Sequence, residues 1–575
     1  MDFQKFSNYL ARLEATASRN QIIEILADLF KTASVEEINK ICYLSLGQLL
    51  PSYKGLEFNL AERMMIKVLA CAFKIDAKEI LVKFKNSGDL GEIAQNLKQG
   101  QKKSFTNFSV TEVYQKLYQI AVEGGSGSVE RKVNQMAELL IQVDPVSAKY
   151  LVRIPISKLR LGFSELTILD ALSWLLQKDK FQRKFIEAAY NVQADVGLIA
   201  RIIKKSDLKG LKAIRIKLGI PVVPALCQRL PNAQEMVKKM GRMAVEPKYD
   251  GTRLQIHWQK NKVSIFTRNL ENVTEMFPDL TRALNKQIKA KSAIFDGEAI
   301  AFNPRTGKLL PFQETIKRKR KYEIGAKSKE IPLKYFVFDL LYKDGVDLLN
   351  HPLSERRKLL VKLVSKADLK QLRTQTIILS PQILTDNSKE LKQYHDQQIK
   401  AGLEGVVAKK WESVYDPGRR GYTWVKLKQE KGKKGGGLAD TLDCVVMGYY
   451  KGKGKRAGFG IGGFLVGLKN NQKVVTVSKI GTGLSDDQWR EMRLRADKVA
   501  TLSLPKSYVI DKNLLPDVIC LPKIIVEIEA DNITKSPIHK AGLALRFPRL
   551  VRFRDDKSFT QATTVEEAQK LYDLQ

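Results

Sequence analysis

The chain of 575 residues is too long for a single hydrophobic core and predicts about three domains. Its 98 Lys and Arg against 62 Asp and Glu give a formal net charge of +36, which favours a polyanionic partner such as nucleic acid, although ribosomal and membrane-surface proteins are also basic. Scattered cysteines without a C-x-x-C pair argue against a zinc module and for a reducing, cytosolic location, and no apolar run reaches the roughly 20 residues that span a bilayer.

The chain is predicted to be helical from its N-terminus to about residue 215. Apolar residues recur there at intervals of three and four, as in the segment 3–13. Two glycine-bearing breaks interrupt this pattern, at residues 124–128 and 158–162. Glycine lets backbone amides come close to phosphate groups, so both breaks are candidate nucleic-acid contacts. Taken alone, each is more typical of an ordinary connection between helices.

Short alternating runs begin near residue 219 and continue to about 430, which predicts strands. Within this region the segment EPKYDGTR at 246–253 places Lys248 between an apolar run and an Asp-Gly turn, so this lysine is predicted to lie at a strand end. A lysine held in this way can act as a nucleophile once its ammonium loses a proton, which desolvation or a neighbouring cation promotes. The short motif by itself is more typical of a surface lysine beside a hairpin turn.

Six further motifs follow Lys248 in a fixed order: Thr267-Arg268-Asn269, Phe295-Asp296-Gly297-Glu298, Phe336-Val337-Phe338-Asp339, Glu404-Gly-Val-Val-Ala-Lys409, Trp424-Val-Lys426-Leu-Lys428 and Arg554-Asp-Asp-Lys557. The ordered set resembles the covalent nucleotidyltransferases. Over nearly the whole chain it resembles an ATP-dependent DNA ligase of the archaeal and eukaryotic three-domain type. The resemblance implies a multidomain α+β protein, with an all-α DNA-binding domain at 1–217, an α+β nucleotidyltransferase (adenylation) domain at 218–432 and a C-terminal OB-fold β-barrel at 433–575.

The implied reaction has three steps. The enzyme takes AMP from ATP onto Lys248, passes it to the 5′-phosphate of a DNA nick and then joins the 3′-hydroxyl to that phosphate, in replication, repair or recombination. The resemblance places Glu246 and Phe338 near the adenine, Glu298 at the ribose, and both Glu298 and Glu404 at Mg²⁺, for which Mn²⁺ is a substitute. The residues implied in binding the phosphates are Arg253, Arg268, Lys409, Lys426, Lys428, Arg554 and Lys557.

Strand alternation adds detail to two of these motifs. Lys426 and Lys428 should share one strand face, which suits a triphosphate, although the pair taken alone is more typical of a solvated face. The same alternation puts Glu404 and Lys409 on opposite faces. One of them must therefore lie beyond the regular strand, or a bulge intervenes. Each carboxylate, taken alone, is as compatible with a surface position beside a turn.

The resemblance also implies where DNA and other partners bind. The implied contacts with a nicked duplex are Gly125, Ser126, Gly127, Arg160 and Gly162. A glycine- and lysine-rich segment at 431–437 is predicted to be a flexible hinge before the barrel. We expect a monomer without membrane attachment, located in the cytoplasm with the nucleoid if the source is prokaryotic, and a sliding clamp is a candidate partner.

Two other functions stay open on sequence alone. An RNA ligase or a GTP-using capping enzyme shares the Lys248 motif, but such enzymes usually begin near their nucleophile, whereas this chain has a long helical region before it. A non-catalytic nick-binding protein could keep the same fold, but it would not need the lysines and glutamates of the ordered motifs. Whether ADP, GTP or NAD replaces ATP is not indicated by any motif.

Overall fold

In this computed structural model the described residues are 1–16, 18–100, 105–260, 262–318, 323–364, 374–418, 420–428, 440–452 and 459–573. They form two units. The first comprises residues 1–398 and 405–427, and the second comprises residues 399–404 and 428–575. The predicted hinge at 431–437 lies outside the described residues.

The N-terminal part of the first unit is helical, as its apolar periodicity predicted. Local sequence sets the helix starts: Ser109 and Glu112 form a capping box, and Asp144 caps the helix that begins at Pro145. The helices are α1 (Phe3–Glu14), α2 (Arg19–Thr32), α3 (Ile38–Ser45), α4 (Glu62–Phe73), α5 (Ala77–Ser87), α6 (Leu90–Gln99), α7 (Val110–Val122), α8 (Ser128–Gln142), α9 (Pro145–Arg153), α10 (Glu165–Gln177), α11 (Arg183–Val192) and α12 (Val196–Leu211). Their apolar faces bury one continuous core.

Strands dominate the rest of the first unit. They are β1 (Leu226–Arg229), β2 (Met243–Pro247), β3 (Thr252–Gln259), β4 (Lys262–Thr267), β5 (Ser292–Ala301), β6 (Leu333–Lys343), β7 (Val346–Asp347), β8 (Ile377–Leu379), β9 (Ile383–Thr385), β10 (Gly405–Lys410) and β11 (Arg420–Lys428), of which β11 ends in the second unit. The helices between them are α13 (Ala233–Met240), α14 (Pro278–Gln287), α15 (Phe312–Ile316), α16 (Ile324–Glu330), α17 (Leu353–Leu363) and α18 (Ser388–Lys400).

These strands form two sheets. One has the order β1-β11-β10-β2-β9, and the other has the order β4-β3-β5-β6-β7, with β8 paired to β6. Most neighbouring strands are antiparallel, but β1 runs parallel to β11 and β8 runs parallel to β6. The motif segments of the first unit lie on β2, β4, β5, β6, β10 and β11 or directly beside them, so sheet pairing fixes their backbones.

The second unit is rich in strands. They are β12 (Leu442–Tyr450), β13 (Gly463–Asn470), β14 (Lys473–Ile480), β15 (Ala500–Thr501), β16 (Tyr508–Val509), β17 (Val518–Cys520), β18 (Ile525–Glu529), β19 (Asn532–Lys535), β20 (Leu543–Arg546) and β21 (Arg549–Phe553), with helices α19 (Asp486–Lys498) and α20 (Val565–Asp573). The main sheet runs β15-β17-β12-β13-β14-β16, and β18 joins β12 to β21. The succession of a helical, a mixed and a β-rich part matches the predicted fold class. Among the helices of the described residues, none combines the length and the apolar character that crossing a bilayer requires.

Candidate active site

Lys248 lies directly after β2, and its backbone is held by the neighbouring strand. β2 pairs antiparallel with β10, with Pro247 opposite Val406. The N–H of Lys248 extends this pairing by donating a hydrogen bond of 2.8 Å to the carbonyl oxygen of Gly405. The lysine side chain is half-buried. The strand-end position that alternation predicted is therefore observed, and the sheet fixes the point from which the side chain extends.

Two glycines of the motifs are required by close approach of the backbone. A Cβ on Gly251 would lie 2.5 Å from the carbonyl oxygen of Ala299, and a Cβ on Gly297 would lie 2.5 Å from the ring of Tyr335. Contacts that short do not occur in folded proteins, so any larger residue would push the strands apart. The Asp-Gly turn after Lys248 is thus packed directly against the strand that carries the second Asp-Gly pair.

Glu246, Lys409 and Phe338 are brought together at one end of the site. Nζ of Lys409 lies 2.9 Å from Oε2 of Glu246 and donates a hydrogen bond of 3.0 Å to the carbonyl oxygen of Phe338. It also lies 4.3 Å from the centroid of the Phe338 ring and 4.4 Å from that of Trp424. Burial raises the pKa of Glu246, and the cations of Lys409 and Arg357 oppose that shift. This end combines aromatic walls with one buried ion pair.

Arg253 on β3 is held by a partner that sequence reasoning did not single out. Its guanidinium forms a bidentate pair with Asp296, with Nε 3.0 Å from Oδ1 and Nη2 2.7 Å from Oδ2. Nη1 donates to the carbonyl oxygen of Ala225 at 2.7 Å, and the Tyr415 hydroxyl donates to Asp296 at 2.8 Å. Most of the donors of Arg253 are therefore engaged within the protein, and its assignment to a phosphate stays a prediction.

Glu298 lies opposite Arg253 in the pairing of β5 with β3. Its side chain is half-buried. Burial raises the pKa of Glu298 to about 8, although the charges of Lys248 and Arg253 act in the other direction. The structure thus places the predicted ribose and metal ligand within electrostatic reach of the predicted nucleophile.

The charges of four predicted cations act on the thiol of Cys227 on β1. Burial raises the pKa of that thiol, and four positive charges oppose the shift. They are Arg253, Lys426, Lys409 and Lys248. Cys227 itself packs against the apolar cluster that contains Phe338. Arg268 lies exposed in the turn after β4.

The lysine pair on β11 has the predicted arrangement. Val425 and Leu427 are buried in the core, while Lys426 and Lys428 are half-buried on the other face of the strand. Strict alternation would place Glu404 and Lys409 on opposite strand faces. The structure removes this constraint, because β10 begins at Gly405 and Glu404 precedes the regular strand. Glu404 and Lys428 form an ion pair of 3.2 Å within the second unit.

Arg554 and Lys557 are held by acids of the second unit. Nη1 of Arg554 lies 3.0 Å from Oδ1 of Asp443, and Lys557 donates to the other oxygen of that carboxylate. Asp556 accepts from Arg554 at 2.8 and 2.7 Å. That guanidinium holds the pKa of Asp556 well below its usual range. Sequence reasoning missed Asp443, which lies more than 100 residues before its partners.

The first predicted DNA loop is exposed between α7 and α8. Gly125 and Gly127 have φ values of +79° and +74°, which glycine adopts without strain. Arg131 fixes the loop by donating to the carbonyl oxygens of Ser126 at 2.9 Å and Gly124 at 3.0 Å. The N-terminus of α8 follows, with the partial positive charge of a helix start.

The second predicted DNA loop has a backbone in unusual conformations. Arg160 has a φ of +60° and Gly162 a φ of +74°. The Arg160 side chain is held internally, since Nη2 donates to the carbonyl oxygen of Gly88 at 2.6 Å and Nη1 lies 3.2 Å from Asp89. Asp89 also pairs with the buried Arg153. The loop is thus shaped by a buried acid, which no motif had indicated.

Family models and related proteins match this chain over most of its length. Three family models match it: "DNA ligase N terminus" at residues 2–173, "ATP dependent DNA ligase domain" at 224–428 and "ATP dependent DNA ligase C terminal region" at 457–557. The chain is 41% identical over 582 residues to the "Probable DNA ligase" of Dictyoglomus turgidum, covering 100% of this chain and 97% of that protein. It is 36% identical over 597 residues to the "DNA ligase" of Sulfolobus acidocaldarius, covering 100% of this chain and 98% of that protein.

A likeness of fold extends to a solved structure titled "Pmar-Lig_Pre.". The TM-score is 0.57 at 17% identity, and the match covers 96% of this chain and 99% of that one. The matched family models define a nucleotidyltransferase that uses ATP. The chain belongs to the ATP-dependent DNA ligase family. It is an enzyme that uses ATP to seal nicks in DNA, and the predicted family is thereby confirmed over the alternatives.

Proposed function

We propose that Lys248 is the residue that carries AMP from ATP to DNA. Its deprotonated Nζ attacks the α-phosphorus of ATP, a P–N bond forms, and the bond from that phosphorus to the bridging oxygen breaks, so that pyrophosphate leaves with the electron pair. AMP then passes to the 5′-phosphate at the nick, and the 3′-hydroxyl displaces it as the phosphodiester forms. The observation that best supports this role is that the charges of Lys248, Arg253, Lys409 and Lys426 all act on the thiol of Cys227, and that Arg253 and Lys409 both lie beside the rings of Phe338 and Trp424, because cations near one another suit a triphosphate.

The other residues are assigned to parts of the nucleotide. Glu246 and Phe338 form the base end, and Glu298 binds the ribose. Lys409 connects the base end to the phosphates. It contacts Glu246 and Phe338, and its charge acts on the Cys227 thiol together with the charges of three other cations. The remaining phosphate ligands are Arg253, Arg268, Lys426, Lys428, Arg554 and Lys557.

We propose Glu298 and Glu404 as ligands of Mg²⁺, for which Mn²⁺ is a substitute. Both side chains are incompletely buried, and carboxylate oxygens are the ligands that Mg²⁺ prefers. A bound Mg²⁺ supplies positive charge to the phosphate oxygens of ATP. Lys428 holds the Glu404 carboxylate in place at 3.2 Å.

We further propose domain boundaries at 1–217, 218–432 and 433–575. The helical domain would bind a nicked duplex with the backbone amides of Gly125, Ser126, Gly127 and Gly162 and with the guanidinium of Arg160. Exposed glycines with positive φ and the start of α8 support the first loop. A monomeric state, binding to a sliding clamp and, if the source is prokaryotic, a cytoplasmic location with the nucleoid complete the proposal.

Adduct formation tests the role of Lys248. The wild-type protein is incubated with α-labelled ATP or α-labelled GTP and separated by denaturing electrophoresis. We expect an AMP adduct, none in Lys248→Arg, and a wild-type amount in Lys262→Arg, which replaces an exposed lysine of β4. Wild-type labelling of Lys248→Arg would remove Lys248 from its role, and a preferred GMP adduct would contradict the assignment of ATP.

A further inference from the structure

Two buried polar atoms at the base end have no hydrogen-bond partner within the described part of the chain. One is Oε1 of Glu246, the carboxylate oxygen that Lys409 does not bind. The other is Nη1 of Arg357, which lies 4.0 Å from that oxygen. The two side chains are 3% and 8% exposed. An acceptor and a donor therefore lie side by side in the protein interior, and neither is satisfied.

Such atoms are exceptions that need an explanation. The great majority of buried polar atoms in folded proteins make at least one hydrogen bond, because leaving them unpaired is costly. The indole Nε1 of Trp424 is a third buried atom without a partner, and its ring lies 5.9 Å from that of Phe338. Unpaired donors and an unpaired acceptor beside aromatic rings suit a flat ring system whose edge carries both hydrogen-bond donors and acceptors.

Arg357 is held firmly enough to select such an edge. It lies on α17, and its Nη2 donates a hydrogen bond of 2.5 Å to the carbonyl oxygen of Ser380. The rings of Tyr249 and Phe336 stack beside this region at 4.4 Å. The charged and titratable side chains around the Glu246 carboxylate are Lys409, Arg357, Asp339, Tyr249 and Tyr394.

We propose that Arg357 is a specificity-determining residue for the nucleobase, whose Nη1 donates a hydrogen bond to a ring nitrogen of adenine while Oε1 of Glu246 accepts from the 6-amino group. This proposal rests on the proposed placement of the base beside Glu246. Adenine presents an amino donor next to a ring acceptor, which complements the pair. A 6-oxo purine presents a carbonyl in place of the amino group, so in the same pose it faces the Glu246 acceptor with another acceptor, and, if the ring nitrogen is N1, it also faces the Arg357 donor with an N–H.

The test combines variants with nucleotide analogues. Rates of adduct formation are measured as a function of concentration for ATP, ITP, 1-deaza-ATP and 7-deaza-ATP. For the wild-type protein we expect kcat/KM to fall about tenfold or more when the critical ring nitrogen is removed, and the analogue affected identifies that nitrogen. In Arg357→Met the KM for ATP should rise about tenfold with little change in kcat. For this variant, kcat/KM with the same deaza analogue should be no more than about twofold below kcat/KM with ATP.

Further variants separate a specific role from a structural one. Arg357→Lys keeps a cationic donor and should restore part of the preference for ATP over ITP. The thermal midpoint and binding to nicked duplex show whether Arg357→Met is folded. If it is not, Arg357→Gln is a second neutral variant for which we expect the same results. In a folded neutral variant, an equal loss of kcat/KM with all four nucleotides would overturn the proposal. So would a deaza analogue that still lowers kcat/KM as much as it does in the wild-type protein.

Glu246→Gln distinguishes this proposal from the one on which it rests. If that substitution narrows the preference for ATP over ITP while neutral substitution of Arg357 does not, only the role of Arg357 is wrong. If neither substitution changes the preference, the base does not lie beside Glu246.

Discussion

Arg554 donates a hydrogen bond of 3.0 Å to Asp443, the same carboxylate that binds Lys557. We propose that both cations bind the β- and γ-phosphates of ATP, so a triphosphate must compete with Asp443 for them. Asp556 is a second competitor for Arg554. Since these acids lie in the same unit as the cations, the competition is built into the β-rich part of the enzyme.

The first prediction separates the first step of the reaction from the last. Arg554→Ala should slow self-adenylation by ATP at least about tenfold, because a charge-assisted hydrogen bond to the leaving pyrophosphate is lost. Sealing of a nick whose 5′-phosphate already carries AMP should stay near normal. Asp443→Asn, which removes the competing charge, should instead lower the KM for ATP by about threefold, as expected for a weakly stabilising ion pair. Equal defects of Arg554→Ala in both assays would contradict the assignment.

The pairing of Asp296 with Arg253 predicts a loss of stability. Asp296→Asn leaves the buried guanidinium without its anionic partner and should lower the free energy of unfolding of the first unit by about 3 kcal/mol. Tyr415→Phe removes only a hydroxyl that contacts the same carboxylate and should cost about 1 kcal/mol. Urea unfolding followed by tryptophan fluorescence measures both. The ranking of the two variants would be reversed if the ion pair contributed little.

His257 predicts a pH dependence of stability. Its Nδ1 accepts from the N–H of Gly219 at 3.0 Å and its Nε2 lies 2.8 Å from Oε1 of Gln255, so the buried ring is neutral. Burial lowers the pKa of His257 from 6.5 to about 3. Below about pH 6.5 the unfolded chain therefore binds a proton at this histidine that the folded chain does not bind. The free energy of unfolding falls by about 1.4 kcal/mol per pH unit as the pH drops towards 3.

His257→Gln tests this dependence, since glutamine keeps one acceptor and one donor but does not titrate. Urea unfolding between pH 5 and pH 7.5 should show that the free energy of unfolding of the variant changes less steeply with pH. At the acid end the difference in slope should correspond to about one proton bound on unfolding. Identical slopes for both proteins would show that His257 is protonated in the folded state.

DNA binding should depend steeply on salt. Each phosphate that a cation neutralises contributes about −0.9 to the log-log slope of affinity against salt, so several contacts give a slope steeper than roughly −3 for the whole chain. Arg160→Ala should weaken binding to all sequences alike and flatten the slope by about one unit. An unchanged slope would indicate that Arg160 only shapes its loop through Asp89. Fluorescence anisotropy with a nicked duplex at several salt concentrations measures the slope.

Local patterns predicted much of this arrangement. The strand end at Lys248, the shared face of Lys426 and Lys428 and the helical region were all accessible from periodicity, because a strand repeats every two residues and a helix every 3.6. The conflict between Glu404 and Lys409 was also visible, and its solution depended only on where β10 begins.

Contacts between distant segments were not accessible from the sequence. Asp296 meets Tyr415 across 119 residues, and Asp443 meets Lys557 across 114. Such pairs follow from strand order and sheet register, which local propensity does not specify. Arg357 illustrates the same limit, because its position beside Glu246 depends on how α17 packs against the sheet.

The site of AMP attachment is the most direct measurement. The protein is incubated with ATP, digested under conditions that preserve a phosphoramidate, and its peptides are sequenced by mass spectrometry. The mass of AMP should reside on the peptide that contains Lys248 and should be absent from those that contain Lys409, Lys426 or Lys428. AMP found on any other lysine, with Lys248 unmodified, would contradict the assignment of the nucleophile and with it the order of roles proposed for the site.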